Sequence, residues 1–140
     1  MKRELGVDRA QLLGLLRATL RDEKAPAGEL AVILVGDRKM QQINRDFRSI
    51  DKSTDVLSFS YVDDPYSGGV LGEIYVSPTI AAAQAAEAEC PVDEEIARLI
   101  LHGVLHVLGW EHDTPRSRRR MLGRQERYLD RYWRNAGAAA

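Results

Sequence analysis

The spacing of apolar positions changes several times along the chain, and each change marks an element. From residue 8 to residue 23, Leu12, Leu13, Leu16 and Leu20 recur about one turn apart, which predicts an amphipathic helix capped by Asp8. Residues 1–6 are too few and too mixed to show a period, although they leave room for a short strand. After the Ala25-Pro26-Ala27-Gly28 loop, Glu29 to Val35 is a compact aliphatic run that reads as a buried strand. Asp37 then offers a cap for a helix that turns Met40, Ile43 and Phe47 inward. A loop from Arg48 to Thr54 leads to Val56-Leu57-Ser58-Phe59-Ser60, a second strand. Strand, helix and strand in this order predict a right-handed parallel crossover.

The second half continues with a loop rich in aspartate and glycine, then a third strand from Val70 to Val76. Leu71 and Ile74 of that strand face a packed side, and the short loop predicts an antiparallel return. Pro78 opens an alanine-rich helix that reaches Glu89, and Cys90-Pro91 breaks it. Asp93 is placed to cap the next helix, to Leu108, whose Ile96, Leu99, Ile100, Leu101, Val104, Leu105, Val107 and Leu108 leave almost no polar face. A helix apolar nearly all round is predicted to be the buried centre of the fold. The last helix, Pro115 to Trp133, carries Met121, Leu122, Leu129 and Trp133 on one side. Arg118, Arg119, Arg120, Arg124, Arg127, Arg131 and Arg134 cover the rest. That face reads equally as a solvated surface paired with Glu126 and Asp130 or as an RNA contact. Residues 136–140 are expected to fray.

Composition adds bounds. A chain of 140 residues that is 44% apolar and 29% charged is expected to be one soluble domain, here residues 1–135, able to bury a core without staples. A net charge of −1 argues against non-specific nucleic-acid binding by the whole molecule and leaves a local basic face open. The single cysteine, Cys90, rules out an internal disulfide framework and fits a reducing compartment. Lys2-Arg3-Glu4 is not followed by a signal-like apolar stretch, and Leu30 to Val35 is too short to span a bilayer. The expectation is a cytoplasmic protein.

The chemistry concentrates between residues 102 and 112, which hold all three histidines of the chain, His102, His106 and His112. On a helix, His102 and His106 share a face one turn apart. Gly109 suits a left-handed helix end, after which His112 can swing back. Three imidazoles without a fourth side chain close in sequence describe an open zinc site. Cys90 lies twelve residues before His102, roughly 18 Å along an intact helix, and so is out of reach. Glu73, Glu111 and Asp113 remain open as oxygen ligands. An open site points to hydrolysis, because zinc brings the pKa of a bound water toward neutrality.

One departure bears on the substrate. Zinc peptidases with this histidine spacing place a glutamate base after the first histidine, and here that residue is Gly103. Close packing against a strand and room for a bulky substrate are both open explanations for the glycine. RNA asks less of the protein, since the ribose 2′-hydroxyl is a nucleophile already in the substrate and a guanidinium suits its phosphate. Asp55 is expected to brace loop amides and Thr54 to cap a turn. Glu73 is expected either to support a histidine or to sit exposed on its strand.

The run His102-Gly103-Val104-Leu105-His106-Val107-Leu108-Gly109-Trp110-Glu111-His112 resembles the signature of the YbeY family of bacterial endoribonucleases, also called rRNA maturation factors. Thr54-Asp55-Val56-Leu57-Ser58-Phe59, preceded by Arg48, resembles a second motif of that family, and Leu71-Gly72-Glu73-Ile74 a third. The resemblance implies an α+β fold in which a mixed, roughly four-stranded sheet lies beside the central helix, with an N-terminal strand falling in Met1 to Gly6. It also implies a zinc-dependent, single-strand-preferring endoribonuclease acting on ribosomal RNA, notably the 3′ end of the small-subunit RNA, and in ribosome quality control. His102, His106 and His112 would be its metal ligands and Arg48 its catalytic or RNA-positioning cation. Trp110-Glu111 stands where the family more often has tyrosine and aspartate, and Arg116 to Arg120 is more basic than the acidic stretch often found there. Two other readings stay open: a zinc peptidase with Glu111 or Asp113 as base, and a ribosome-binding factor with a mainly structural metal.

Overall fold

The structure is a computed structural model that describes residues 7–50 and 54–135. In chain order its elements are α1 (Arg9–Asp22), β1 (Glu29–Leu34), α2 (Asp37–Arg48), β2 (Val56–Ser60), β3 (Val70–Val76), α3 (Pro78–Ala88), α4 (Val92–Val107) and α5 (Pro115–Leu129). A π-helical turn, Asp130–Arg134, prolongs α5 and buries Trp133. This is the expected α+β class. Among the described residues the sheet has three strands rather than four. The fourth was expected in Met1–Gly6, which lies outside the described residues.

The strand order is β1-β3-β2, with β1 parallel and β2 antiparallel to β3. The expected parallel crossover from β1 to β2 is therefore not formed, because the two strands run in opposite directions on either side of β3. The antiparallel return from β2 to β3 is formed, and it aligns Val56 with Val76 and Ser60 with Gly72. The central strand, β3, is also the most buried, with Leu71, Gly72, Ile74 and Val76 buried and Glu73 and Tyr75 half-buried. β1, expected to be fully buried, is a half-buried edge.

α4 packs across β2 and β3 and supplies the largest share of the main core, with Ile100, Leu101, Val104 and Leu105 fully buried. Two glycines let helix and sheet approach closely. A Cβ on Gly103 would lie 2.7 Å from Ile74 Cγ2, and one on Gly72 would lie 2.6 Å from Val107 Cγ2. Gly103 is thus explained by packing, and the space beside it is filled by Ile74 rather than left for a substrate. On the other side of the sheet, Met40 and Ile43 of α2 form a smaller core with Leu57.

Several local expectations shift. Asp8 caps α1 as expected, accepting from the Ala10 amide at 2.9 Å. The face of α1 that turns inward is Leu12, Leu15, Leu16 and Thr19, whereas Leu13 is exposed. The caps of α2 and α4 are Gly36 and Pro91, not Asp37 and Asp93. The Asp37 carboxylate is drawn away to accept from the Ser77 hydroxyl at 3.2 Å, and Asp93 accepts from the Glu94 amide inside the first turn. Phe47 is 71% exposed instead of buried, at the last turn of α2, one turn beyond the buried Ile43 and Asn44. The Phe47 ring rests edge-on against Phe59.

Candidate metal centre and cleft

α4 carries His102 and His106 on one face, and the helix then ends in a way that brings back the third histidine. Gly109 takes φ +104°, a conformation that side chains disfavour. Its N–H donates to the His106 carbonyl at 3.0 Å and the Trp110 N–H to the Leu105 carbonyl at 2.9 Å. These are the paired bonds of a Schellman end. Trp110 fixes the outgoing chain: its indole N–H donates to Glu23 at 2.8 Å, and the Arg124 guanidinium lies over its ring. Glu23 also accepts from Arg124 and Tyr128, and although burial pushes its pKa up, these donors hold it below the ordinary carboxylate value.

Past this turn His112 faces the other two. Its ring centroid lies 4.4 Å from that of His106 and 5.5 Å from that of His102, and one nitrogen from each ring falls within 4.8 Å of the others. The Nε2 atoms of His102 and His106 are 3.2 Å apart. His102 Nδ1 lies 2.8 Å from Gln125 Oε1. That oxygen can only accept, so Nδ1 carries the proton and Nε2 offers a lone pair to the cluster. The amide cannot be turned round without loss, since Gln125 Nε2 donates to Glu126 at 3.1 Å and Arg98 in turn holds Glu126 at 2.9 Å. Burial pushes the pKa of His102 down, and burial together with the two neighbouring rings pushes that of His106 to about 4. Both rings are therefore neutral at pH 7, the form that ligates. This donor set fits a metal ion held by imidazole nitrogen.

The histidines line a cleft of about 470 Å³ whose other walls include Arg48, Thr54, Asp55, Ser58 and Ser60. Arg48, at the end of α2, stands at the rim, and its charge disfavours the protonated form of His106. The Ser60 hydroxyl donates to the Val107 carbonyl at 2.7 Å and so ties β2 to the end of α4. Asp55 accepts from the first amide of β2, that of Val56, at 2.8 Å rather than from a loop amide, and also from Gln84 of α3 at 3.2 Å. Glu73 supports no histidine; it accepts from the Tyr61 hydroxyl at 2.8 Å. Among the described residues the metal-type cluster contains no carboxylate and no thiol. The residue that sequence reasoning missed is Gln125. Its signal was a polar side chain amid the apolar face of α5, where it is 4% exposed beside buried Met121 and Leu129.

A mixed sheet with a buried helix that ends in three converging histidines defines a protein with a helix-borne metal-type centre of the zincin kind. The family described as Endoribonuclease YbeY matches residues 4–133. Proteins named Endoribonuclease YbeY are similar over most of the chain: that of Syntrophotalea carbinolica is 41% identical over 76% of this chain and 74% of its own length. The one from Staphylococcus carnosus is 39% identical over 87% and 84%. Against that of Anaeromyxobacter sp. the identity is 41%, over 79% of this chain and 57% of the relative's length. The solution structure of TM1509 from Thermotoga maritima superposes with a TM-score of 0.66 at 28% identity, covering 93% of this chain and 84% of that one. The chain belongs to the YbeY family.

Proposed function

We propose that the chain is a zinc-dependent endoribonuclease that prefers single-stranded RNA and acts in the cytoplasm on ribosomal RNA, at the 3′ end of the small-subunit RNA, and in ribosome quality control. The observation that carries this reading is the convergence of three imidazoles in a cleft that an arginine also lines. His102, His106 and His112 would hold one zinc ion, which when bound supplies Lewis-acid stabilisation of charge on the phosphate. Gln125 keeps the His102 ring turned so that Nε2 faces the cleft. The Arg48 guanidinium pairs with a non-bridging phosphate oxygen at the scissile position and stabilises the charge that grows there. Membership of the YbeY family supports RNA as the substrate. The site at Gly103 supports it against peptide hydrolysis, because a glutamate base there would have to displace Ile74. Among the described residues no helix is long and apolar enough to cross a membrane.

The test compares wild type with Arg48→Ala and with a variant lacking all three histidines, purified in parallel, on single-stranded RNA and on casein. Wild type should contain about one zinc per chain, cut RNA and leave casein intact. Arg48→Ala should keep the fold and lose cleavage. Equal RNA cleavage by the variant without histidines would contradict the proposal. Unfolding on chelation would instead favour a binding factor with a structural metal.

A further inference from the structure

A second cleft, of about 230 Å³, lies beside the first. It shares Asp55, Val56, His102 and His112 with the first and is bounded beyond them by Leu122 and Arg118. The two clefts therefore adjoin at these four residues, and Arg48 lines the first while Arg118 lines the second. Two arginines line the second cleft, and they differ in what remains free. Arg98 is half-buried and its charge is met by Glu95 at 2.7 Å, Glu126 at 2.9 Å and Glu94 at 3.4 Å. Arg118 is exposed, and no carboxylate among the described residues pairs with it. It lines the same cleft as His102 and His112. The one carboxylate lining the cleft, Asp55, is engaged by Val56, Gln84 and Thr54. A free guanidinium in a cleft adjoining a site for single-stranded RNA is matched by one kind of group, a backbone phosphate.

We propose that Arg118 binds the phosphodiester next to the one that is cut, so that the strand is held at two phosphates, one in each cleft. This rests on the endoribonuclease reading above. Arg118 is a positioning residue: it fixes where the strand lies and leaves the reacting phosphate to the histidine cleft. Its neighbour Arg119 is also exposed but does not line the second cleft, and it serves as the control for charge alone.

The experiment uses zinc-loaded full chain and a ten-nucleotide single-stranded RNA whose cut site has been mapped. Arg118→Ala should raise KM about tenfold with kcat unchanged, and should lower the slope of log affinity against log salt by about 0.7. Arg118→Lys should recover part of the loss. A neutral methylphosphonate at the neighbouring linkage should cost wild type the same factor and cost Arg118→Ala nothing more. Arg119→Ala should stay within about twofold of wild type. Unchanged KM in Arg118→Ala, an equal loss in Arg119→Ala, or additive losses from Arg118→Ala and the methylphosphonate would each overturn the proposal while wild type still cut RNA. Failure of wild type to cut any RNA would take down the endoribonuclease reading and this proposal with it.

Discussion

Replacing Gly103 by alanine tests how closely the histidine helix is seated on the sheet. The new Cβ would stand 2.7 Å from Ile74 Cγ2, against an ordinary carbon–carbon contact of about 3.5–4.0 Å. Ile74 is fully buried, so either its rotamer or the helix–strand distance must give by roughly an ångström. Overpacking of this kind costs about 1–3 kcal/mol, while alanine in place of glycine in a helix interior gains about 1 kcal/mol. The net expectation is a loss of about 0–2 kcal/mol, from two effects that a second substitution separates. Ile74→Ala removes the clashing methyl and costs about 2–5 kcal/mol by itself. In that background only the helix gain remains, and Gly103→Ala should stabilise by about 1 kcal/mol. Urea denaturation of wild type, the two single variants and the double variant, at fixed metal content, measures a coupling of about 1–3 kcal/mol. The same sign and size of effect in both backgrounds would refute the contact and restore the alternative of a space kept for substrate.

Other predictions follow from the support around the site. Gln125→Leu removes the partner of His102 Nδ1 and should weaken zinc affinity about 10–100-fold, measured by competition with a chelator, while an unchanged affinity would show that the bond does not orient the ring. Glu94 has its pKa lowered chiefly by the hydrogen bond from Arg134. Glu126 has its pKa lowered by Arg98 despite burial. Both therefore contribute stability that is present above the ordinary glutamate value of about 4.3 and is lost as pH falls through the lower folded values. Urea midpoints should fall below that pH, and Arg98→Met should flatten the decline. A steeper acid decline in the variant would contradict the assignment. Gly109→Ala places a side chain at φ +104° and should cost about 1–2 kcal/mol, with weaker metal binding because the turn carries His112. Thermal unfolding and zinc titration read the two effects separately.

The histidine site was legible because its signal is local. Spacings of four and six residues with Gly109 at the bend place all three rings within one helix and one turn. Asp8 and the Pro78 start of α3 follow equally local rules. What the sequence hid depends on residues far apart. The order β1-β3-β2 is set by pairing between segments far apart in the chain, and nothing near β2 in sequence shows that β3 will take the centre. Phe47 lacks its expected burial for a similar reason, since the periodic pattern of α2 cannot show how far along the helix the core reaches. Gln125 reaches His102 across twenty-three residues, and only its polarity on an apolar face marked it. Gly103 had two explanations until Ile74 was seen against it.

The central claim is that His102, His106 and His112 hold one ion and leave a position open toward Arg48. A crystal structure of the zinc-loaded protein with anomalous scattering data tests it most directly. The account predicts one peak about 2.0–2.1 Å from a nitrogen of each ring, with no fourth side chain bound. A peak elsewhere, or a carboxylate of Glu73, Glu111 or Asp113 closing the fourth position, would contradict it.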